Sequence, residues 1–158
     1  MIKRITVKEV EHITFKMAQE LLSFNEPVPD FSTRSPNILE SCLATPFQTF
    51  GGKFLYPGFL TRASMLFYLM IKNHPFENGN KRIAITTLLT FLFADKKCLR
   101  ADIQELYNFT VWIALSPAQF KDEVVKAAEK FLRTHLKESP VKIMEAFRKE
   151  SIQDSAPQ

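Results

Sequence analysis

Nine consecutive residues, His74-Pro75-Phe76-Glu77-Asn78-Gly79-Asn80-Lys81-Arg82, combine a titratable base, a glycine turn and two cations. Gly79 permits the positive φ of a tight turn, and Asn80 is a residue type that caps a helix beginning near Lys81. Free N–H groups at a helix start attract anions, because the helix dipole places about half a positive elementary charge there. The pattern therefore predicts a phosphate-binding loop in which His74 removes a proton from an attacking hydroxyl.

The two cations of this run lie where a helix start would disfavour them, against the positive end of the dipole. A bound polyphosphate would reverse that penalty, so Lys81 and Arg82 are interpreted as phosphate ligands. Phe76 is expected to point inward and anchor the loop. The simpler alternative is a structural corner between two helices, with His74 as a cap, Phe76 in the core and both cations solvated.

Two apolar segments, residues 65–71 and 83–93, flank this loop, and each is too long for an ordinary strand. The loop is therefore expected to join two helices. The apolar periodicity and the short loops predict an all-α fold, a compact helical bundle in one domain over residues 1–150 with a frayed tail at 151–158. Helices are expected near residues 7–24, 36–45, 59–73, 81–95, 102–115, 117–137 and 140–150.

Helix starts are indicated by residues that cap them. Thr6 with Glu9 forms a capping-box pattern, and Asp102 precedes the segment that runs to Leu115. A proline at the first helical position is favourable, and it follows a capping residue in three pairs, Ser35-Pro36, Ser116-Pro117 and Ser139-Pro140. The apolar stripe expected after the capping box is Val7, Val10, Ile13, Met17 and Leu21.

Residues 48–56 are the exception to the helical pattern, because Gly51-Gly52 separates two short runs rich in Phe, Thr and Tyr. This arrangement predicts a small β-hairpin with a two-residue turn. A hairpin beside the phosphate loop would leave an edge strand on which an extended target segment could pair. The alternative is a hairpin that only covers the core. The residues of this expected target-docking flap are Thr49, Phe50, Gly51, Gly52 and Lys53.

The nine-residue run resembles the signature of the Fic/Doc family, His-x-Phe-x-(Asp/Glu)-Gly-Asn-(Gly/Lys)-Arg. Lys81 stands where the adenylyl-transferring Fic branch has Gly, and in this it resembles the death-on-curing (Doc) branch, the toxin half of a toxin–antitoxin pair. Residues 49–57 and 83–93 also look like death-on-curing proteins, so the resemblance spans residues 38–94. It implies the Fic/Doc fold, a helical bundle with a small β-hairpin flap.

The resemblance also implies a reaction: His74 is the general base on a protein hydroxyl, and ATP is the phosphate donor. Gly79 and Asn80 would form the phosphate cradle, with Lys81 and Arg82 as phosphate ligands. In Doc-like proteins the Lys blocks the usual pose, so the nucleotide is inverted and its γ-phosphate meets the target, by resemblance a Thr of elongation factor Tu. The implied protein is a translation-inhibiting toxin restrained by a cognate antitoxin in trans.

Two positions depart from the family pattern. Asn78 replaces the carboxylate that holds Mg²⁺ against the phosphates, and a neutral amide ligand should weaken metal binding unless Glu77 or the ATP oxygens compensate. Ile85 stands where adenylylating members carry a second Arg, which also pairs with an inhibitory Glu; the likeness of residues 134–139 to the inhibitory motif is therefore taken as chance. Three interpretations stay open: a Doc-type kinase, a Fic-type adenylyltransferase, and an impaired module that only binds nucleotide or antitoxin.

Composition and charge limit the classes of protein to which this chain could belong. The 158 residues, 46% of them hydrophobic and fifteen of them Phe, suffice for one compact core. No leader pattern or membrane-length apolar run is visible, so a cytoplasmic protein without a membrane partner is expected. The net charge of +4 is scattered along the chain, which argues against direct nucleic-acid binding. Cys42 and Cys98 lack metal-type spacing and are expected to be reduced structural thiols.

Overall fold

The structure is a computed structural model that describes residues 1–21 and 28–138. The expected helical bundle with a small β-hairpin is confirmed; the helix expected at 140–150 and the tail at 151–158 lie outside the described residues. The α-helices are α1 (Val7–Glu9), α2 (Phe15–Leu21), α3 (Pro36–Ala44), α4 (Phe59–Lys72), α5 (Asn80–Ala94), α6 (Ile103–Leu115) and α7 (Lys121–His135). The strands are β1 (Thr49–Phe50), β2 (Lys53–Phe54), β3 (Lys97–Leu99) and β4 (Leu136–Glu138).

Helix α4 lies at the centre of the bundle, and every residue from Arg62 to Ile71 is buried. A helix that is apolar nearly all round must be enclosed by other elements, and α3, α5, α6 and α7 all pack against it. Helices α4 and α5 form an antiparallel pair: Phe59 at the start of α4 stacks on Phe91 near the end of α5, with ring centroids 5.3 Å apart. In the part of the chain that the structure describes, no helix is long and apolar enough to cross a membrane.

The first helical segment departs from the expected stripe because it contains a π-helical turn, Val10–Thr14, between α1 and α2. The wider turn shifts the phase of the side chains that follow. Val10, Thr14 and Phe15 are buried as a result, whereas Ile13 is 43% exposed. The expectation that Ile13 shares one buried apolar face with Val10 is therefore wrong, whereas Met17 is partly buried. Thr86 of α5 donates its hydroxyl to the carbonyl of Thr14 at 2.7 Å.

Most of the expected helix starts are confirmed. The amide of Glu9 donates to the Thr6 hydroxyl at 3.2 Å and the Glu9 carboxylate accepts from the Thr6 amide at 2.7 Å, which completes the capping box. Asp102 accepts from the amide of Gln104 at 2.8 Å. The start expected at residue 117 is wrong, because a 3₁₀ turn at Ala118–Phe120 intervenes and α7 begins at Lys121.

Two antiparallel ribbons of two strands complete the fold. In the β1–β2 hairpin, Gly51 and Gly52 have φ of 55° and 76°, the conformation that a tight two-residue turn requires. The β3–β4 ribbon was not expected, since the helical pattern ran on to residue 137. Helix α7 instead ends at His135, and Leu136 turns into an extended strand that pairs with Leu99.

Candidate active site

The loop that joins α4 to α5 is bent by two residues in the left-handed region. Gly79 has φ of 71°, which glycine adopts freely, and it is the N-cap of α5. His74 has φ of 48°, a conformation that costs a residue with a side chain about 1 kcal/mol. The neighbouring Pro75 is fixed from outside the loop, because its carbonyl accepts a 2.8 Å hydrogen bond from the amide of Ser35. Such stored strain is typical of functional loops.

Asn80 closes this loop through its side chain. Its Oδ1 accepts from the amide of Phe76 at 3.0 Å, and its Nδ2 donates to the carbonyl of the same residue at 2.8 Å. The expectation that Asn80 caps the helix is therefore wrong: the left-handed Gly79 takes the N-cap position, and Asn80 begins α5 with its amide turned back across the loop. Gly79 has no side chain with which to cap α5. The backbone N–H groups at a helix start favour a phosphate.

Phe76 lies in the core and is only 3% exposed. Its ring packs against Phe15 and Phe31, at centroid distances of 5.7 and 5.9 Å, as a cluster of three aromatic rings. The guanidinium of Arg34 covers the far side of this cluster, 4.4 Å from the Phe31 ring. Aromatic packing of this kind fixes the loop backbone relative to α2.

A cavity of about 270 Å³ opens between this loop and the end of α6. Ile71 and Ala114 form its apolar wall. The polar side is made by five of the residues singled out from the sequence, His74, Glu77, Asn78, Asn80 and Lys81. The exposed imidazole of His74 lies near Asn80, with Nδ1 and Nδ2 3.5 Å apart. A base, a cation and the start of a helix thus face one space, which suits a bound phosphate.

Lys81 and Arg82 do not share this cavity. Successive residues of an α-helix point about 100° apart, so only one of the pair can face the loop side of α5. Lys81 lines the cavity and is half-buried, whereas Arg82 is 5% exposed and is not among the residues that line it. The structure thus places only Lys81 of the two expected phosphate ligands at the cavity, and the role of each as a phosphate ligand stays a prediction.

Lys72 was missed from the sequence. Its ammonium group donates to the carbonyls of Ala114 and Ser116, at 3.1 and 2.6 Å, at the C-terminal end of α6. A cation is favourable there because the helix end carries a partial negative charge. This contact ties the end of α6 to the residue that stands two positions before His74. The only signal in the sequence is a lysine in the last turn of a helix, which does not reveal a partner more than forty residues away.

The loop geometry agrees with the comparison to known families. The family model described as Fic/DOC family matches residues 4–92, more than half of the chain. The chain belongs to the Fic/DOC family. No curated protein and no solved structure matches it. The match begins well before residue 38, so the Fic/DOC region includes α1, α2 and α3 as well as the motif.

The Fic/DOC loop can supply ligands to a magnesium ion, although it cannot enclose one. Glu77 offers a carboxylate and Asn78 an amide oxygen at the same cavity. Within residues 1–21 and 28–138, no group of three or more His, Cys, Asp or Glu is placed to hold a metal. Mg²⁺ is often bound through one or two carboxylates together with substrate phosphates, so these two residues fit an ion that arrives with a nucleotide.

The β1–β2 hairpin lies at the other end of α4 from the Fic/DOC loop, and its role as a target-docking flap stays a prediction. It precedes the start of α4, where the Arg62 guanidinium lies 4.1 Å from the Phe54 ring and donates to the carbonyl of Tyr56 at 2.7 Å. The loop follows the other end of α4, which is about 21 Å long for its 14 residues. The hairpin residues, Thr49 to Lys53, are therefore separated from His74 by the length of the helix.

Proposed function

We propose that this member of the Fic/DOC family is a Doc-type protein kinase, which transfers the γ-phosphate of ATP to a hydroxyl of a protein target. Elongation factor Tu is the proposed target, as the resemblance of the motif to the death-on-curing branch implies. The protein would act as the toxin of a toxin–antitoxin pair in the cytoplasm, where ATP and this target are found.

The observation that carries the proposal is the pairing of His74 with Lys81 at one cavity. Lys81 occupies the position at which adenylyl-transferring relatives have Gly, and its side chain takes up room that the usual nucleotide pose would need. Ile85, one turn further along α5, is fully buried among apolar side chains. No cation is available at that position to grip a γ-phosphate in the adenylylating pose. Both features favour phosphorylation over adenylylation.

In the proposed reaction His74 accepts the proton of the target hydroxyl, whose oxygen forms a bond to the γ-phosphorus as the bond to the β-phosphate oxygen breaks. ADP leaves, and the proton passes from the imidazole to solvent. Lys81 and the first N–H groups of α5 stabilise the negative charge on the phosphates, where one preorganised donor is worth about 3 kcal/mol. Mg²⁺, held by Glu77, Asn78 and the phosphates, would neutralise further charge.

Inhibition is proposed to come from an antitoxin in trans. Residues 136–138 of the segment that imperfectly resembles an inhibitory motif form strand β4, where Glu138 lies 3.4 Å from the ammonium of Lys97 in β3. Glu138 is therefore engaged with a neighbouring strand and not with the cavity. The Arg that an internal inhibitory Glu would pair with is replaced by Ile85.

The test is label transfer from ATP carrying the label on either the α- or the γ-phosphate, into purified elongation factor Tu and into bacterial lysate. His74→Ala is the inactive variant. His12→Ala is its matched control, because His12 is an exposed histidine on the first helical segment. We expect transfer from the γ-position alone, lost in His74→Ala and kept in His12→Ala.

The other outcomes separate the alternatives. Transfer from the α-position would identify an adenylyltransferase, and Lys81→Gly should then have no effect on which label is transferred. Transfer that survives in His74→Ala would show that the base assignment is wrong. No transfer from either position, together with measurable ATP binding, would favour an impaired binding module and make Asn78 the first residue to change.

A further inference from the structure

An apolar groove adjoins the candidate cavity at the end of α6. Its volume is about 370 Å³, and Val124 of α7 is among its lining residues. Trp112, Leu115 and Phe120 stand around it, and they are 49%, 78% and 49% exposed. Three large apolar side chains exposed in one place are typical of a surface that binds another protein.

The groove and the cavity are lined by neighbouring residues at the end of α6. Ala114 lines the cavity, and the next two residues of the chain, Leu115 and Ser116, line the groove. Lys72 holds this segment in place, because it donates to the carbonyls of both Ala114 and Ser116. A protein that fills the groove is therefore brought directly to the edge of the cavity that contains His74.

The surface is also preformed. The Trp112 indole stacks on Phe109 at 5.5 Å, and Phe109 stacks on Phe131 of α7 at 4.4 Å, with nearly parallel rings in both pairs. A surface whose aromatic groups are already ordered loses little conformational entropy when a partner binds. The exposed carboxylate of Glu123 lies at the same groove, where it would attract a basic side chain.

We propose that this groove is the docking surface for the protein target, which inserts a large apolar side chain, flanked by a basic residue, while its hydroxyl enters the cavity. The proposal rests on the proposed transfer reaction. A larger apolar groove of about 550 Å³ lies on α5 between Ile13 and Phe93. Its nearest residue on that helix, Leu89, is about two turns beyond Lys81, so it lacks this connection to the cavity.

Steady-state transfer to elongation factor Tu tests the proposal through the KM for each substrate. Leu115→Ser and Phe120→Ser should raise the KM for the protein about tenfold and leave the KM for ATP unchanged. Phe93→Ser is the matched control, because Phe93 is a phenylalanine of similar exposure, 46%, in the other groove. Equal KM values for the protein in all variants would overturn the proposal, although the kinase function would stand. A rise in this KM only in Phe93→Ser, or only in Phe50→Ser on the β1–β2 hairpin, would overturn it as well.

A binding measurement separates failure of the docking surface from failure of the reaction. Trp112 is the only tryptophan of the chain, so 5-fluorotryptophan gives one ¹⁹F resonance on the groove itself. Saturable shift or broadening of this resonance on addition of elongation factor Tu, lost in Leu115→Ser, would support docking even if no phosphate is transferred. An unchanged resonance at saturating protein would overturn the proposal, whether or not the wild type transfers phosphate.

Discussion

Asn80 binds both backbone polar groups of Phe76, accepting from its amide at 3.0 Å and donating to its carbonyl at 2.8 Å. The side chain of Phe76 is meanwhile held in the aromatic cluster with Phe15 and Phe31. One side chain thus satisfies both the backbone N–H and the backbone C=O of a loop residue, as a neighbouring strand does in a β-sheet. The arrangement explains how a loop containing a strained His74 keeps one conformation.

Asn80→Ala is expected to destabilise the protein by about 2 kcal/mol, because it leaves two buried backbone groups of Phe76 without partners. It should also weaken ATP binding, since the loop loses its closure. Urea unfolding and nucleotide titration measure the two effects. Asn108→Ala is the control, because Asn108 is exposed and its amide oxygen accepts from Gln104 on the helix surface. Equal stability of the two variants would contradict the role given to Asn80.

Lys72→Met should loosen the end of α6 from the loop, since two carbonyls lose a charged donor. A loss of about 1–3 kcal/mol in the free energy of unfolding is expected, with a change in the emission of the nearby Trp112. Lys72→Arg should recover part of the lost stability and part of the Trp112 emission. Lys126→Met, at an exposed position of α7, should change neither. If the emission of Trp112 is the same in Lys72→Met and in the wild type, Lys72 does not position this corner.

Asn78→Asp tests the magnesium site. A second carboxylate beside Glu77 should strengthen Mg²⁺ binding in the presence of ATP by about tenfold. Calorimetric titration of Mg²⁺ into the ATP complex measures this directly, with Asn108→Asp as the control for added charge. If transfer activity rises in parallel, the native loop is limited by its metal. Tighter Mg²⁺ binding without a gain in transfer activity would mean that Glu77 and the phosphates already bind Mg²⁺ tightly enough for the reaction.

Two adjacent threonines of α5 should respond differently to replacement by valine. Thr86 donates to the Thr14 carbonyl at the π-helical turn, so Thr86→Val should cost about 1–3 kcal/mol. The hydroxyl of Thr87 is buried without a hydrogen-bond partner among the described residues. Thr87→Val keeps the shape and removes that unpaired group, so it should be neutral or stabilising. Thermal unfolding of the two variants measures the difference. Equal destabilisation by both would contradict the hydrogen bonding assigned to the two hydroxyls.

Local features of the fold could be predicted from the sequence. The turn at Gly79, the burial of Phe76 and the capping box at Thr6 all depend on residues within a few positions of one another. The same holds for the Gly51-Gly52 hairpin. Most of the cavity could also be predicted, because His74 and Lys81 belong to one short loop. Such features are decided by backbone preferences and periodicity, which a short window of sequence contains.

What was missed depends on contacts between distant segments. Strand β4 was taken as the end of a helix, because its pairing with β3 joins residues about forty positions apart. The partners of Lys72 are equally remote. Arg82 was paired with Lys81 because both lie in the first turn of the predicted helix, whereas in the structure Arg82 is buried and only Lys81 lines the cavity. The π-helical turn changed the phase of a stripe that a regular helix would have kept.

The two cysteines should differ in reactivity. Burial raises the pKa of Cys42 to about 11, and its thiol lies 3.5 Å from the carbonyl of Leu69. Cys98 is partly exposed. Alkylation followed by mass spectrometry at pH 8 should therefore modify Cys98 first and Cys42 only on unfolding.

The same pKa shift predicts how stability changes at high pH. Because the folded state disfavours the thiolate of Cys42, the free energy of unfolding should fall as pH rises from 9.0 towards about 11. That slope should be smaller in Cys42→Ala, and Cys98→Ala serves as the control. Equal slopes in the two variants would show that the Cys42 thiol is not protected.

The antiparallel α4–α5 pair gives the molecule two remote ends, one with the cavity and one with the β1–β2 turn. A Cβ at Gly51 or Gly52 would meet no described atom within 4 Å apart from those of the adjacent residues, so that turn projects into open space. An epitope tag or a surface-attachment peptide inserted between these two glycines would hold the protein by its far end. Target, nucleotide and inhibitor could then be passed over an immobilised molecule whose cavity faces the solution.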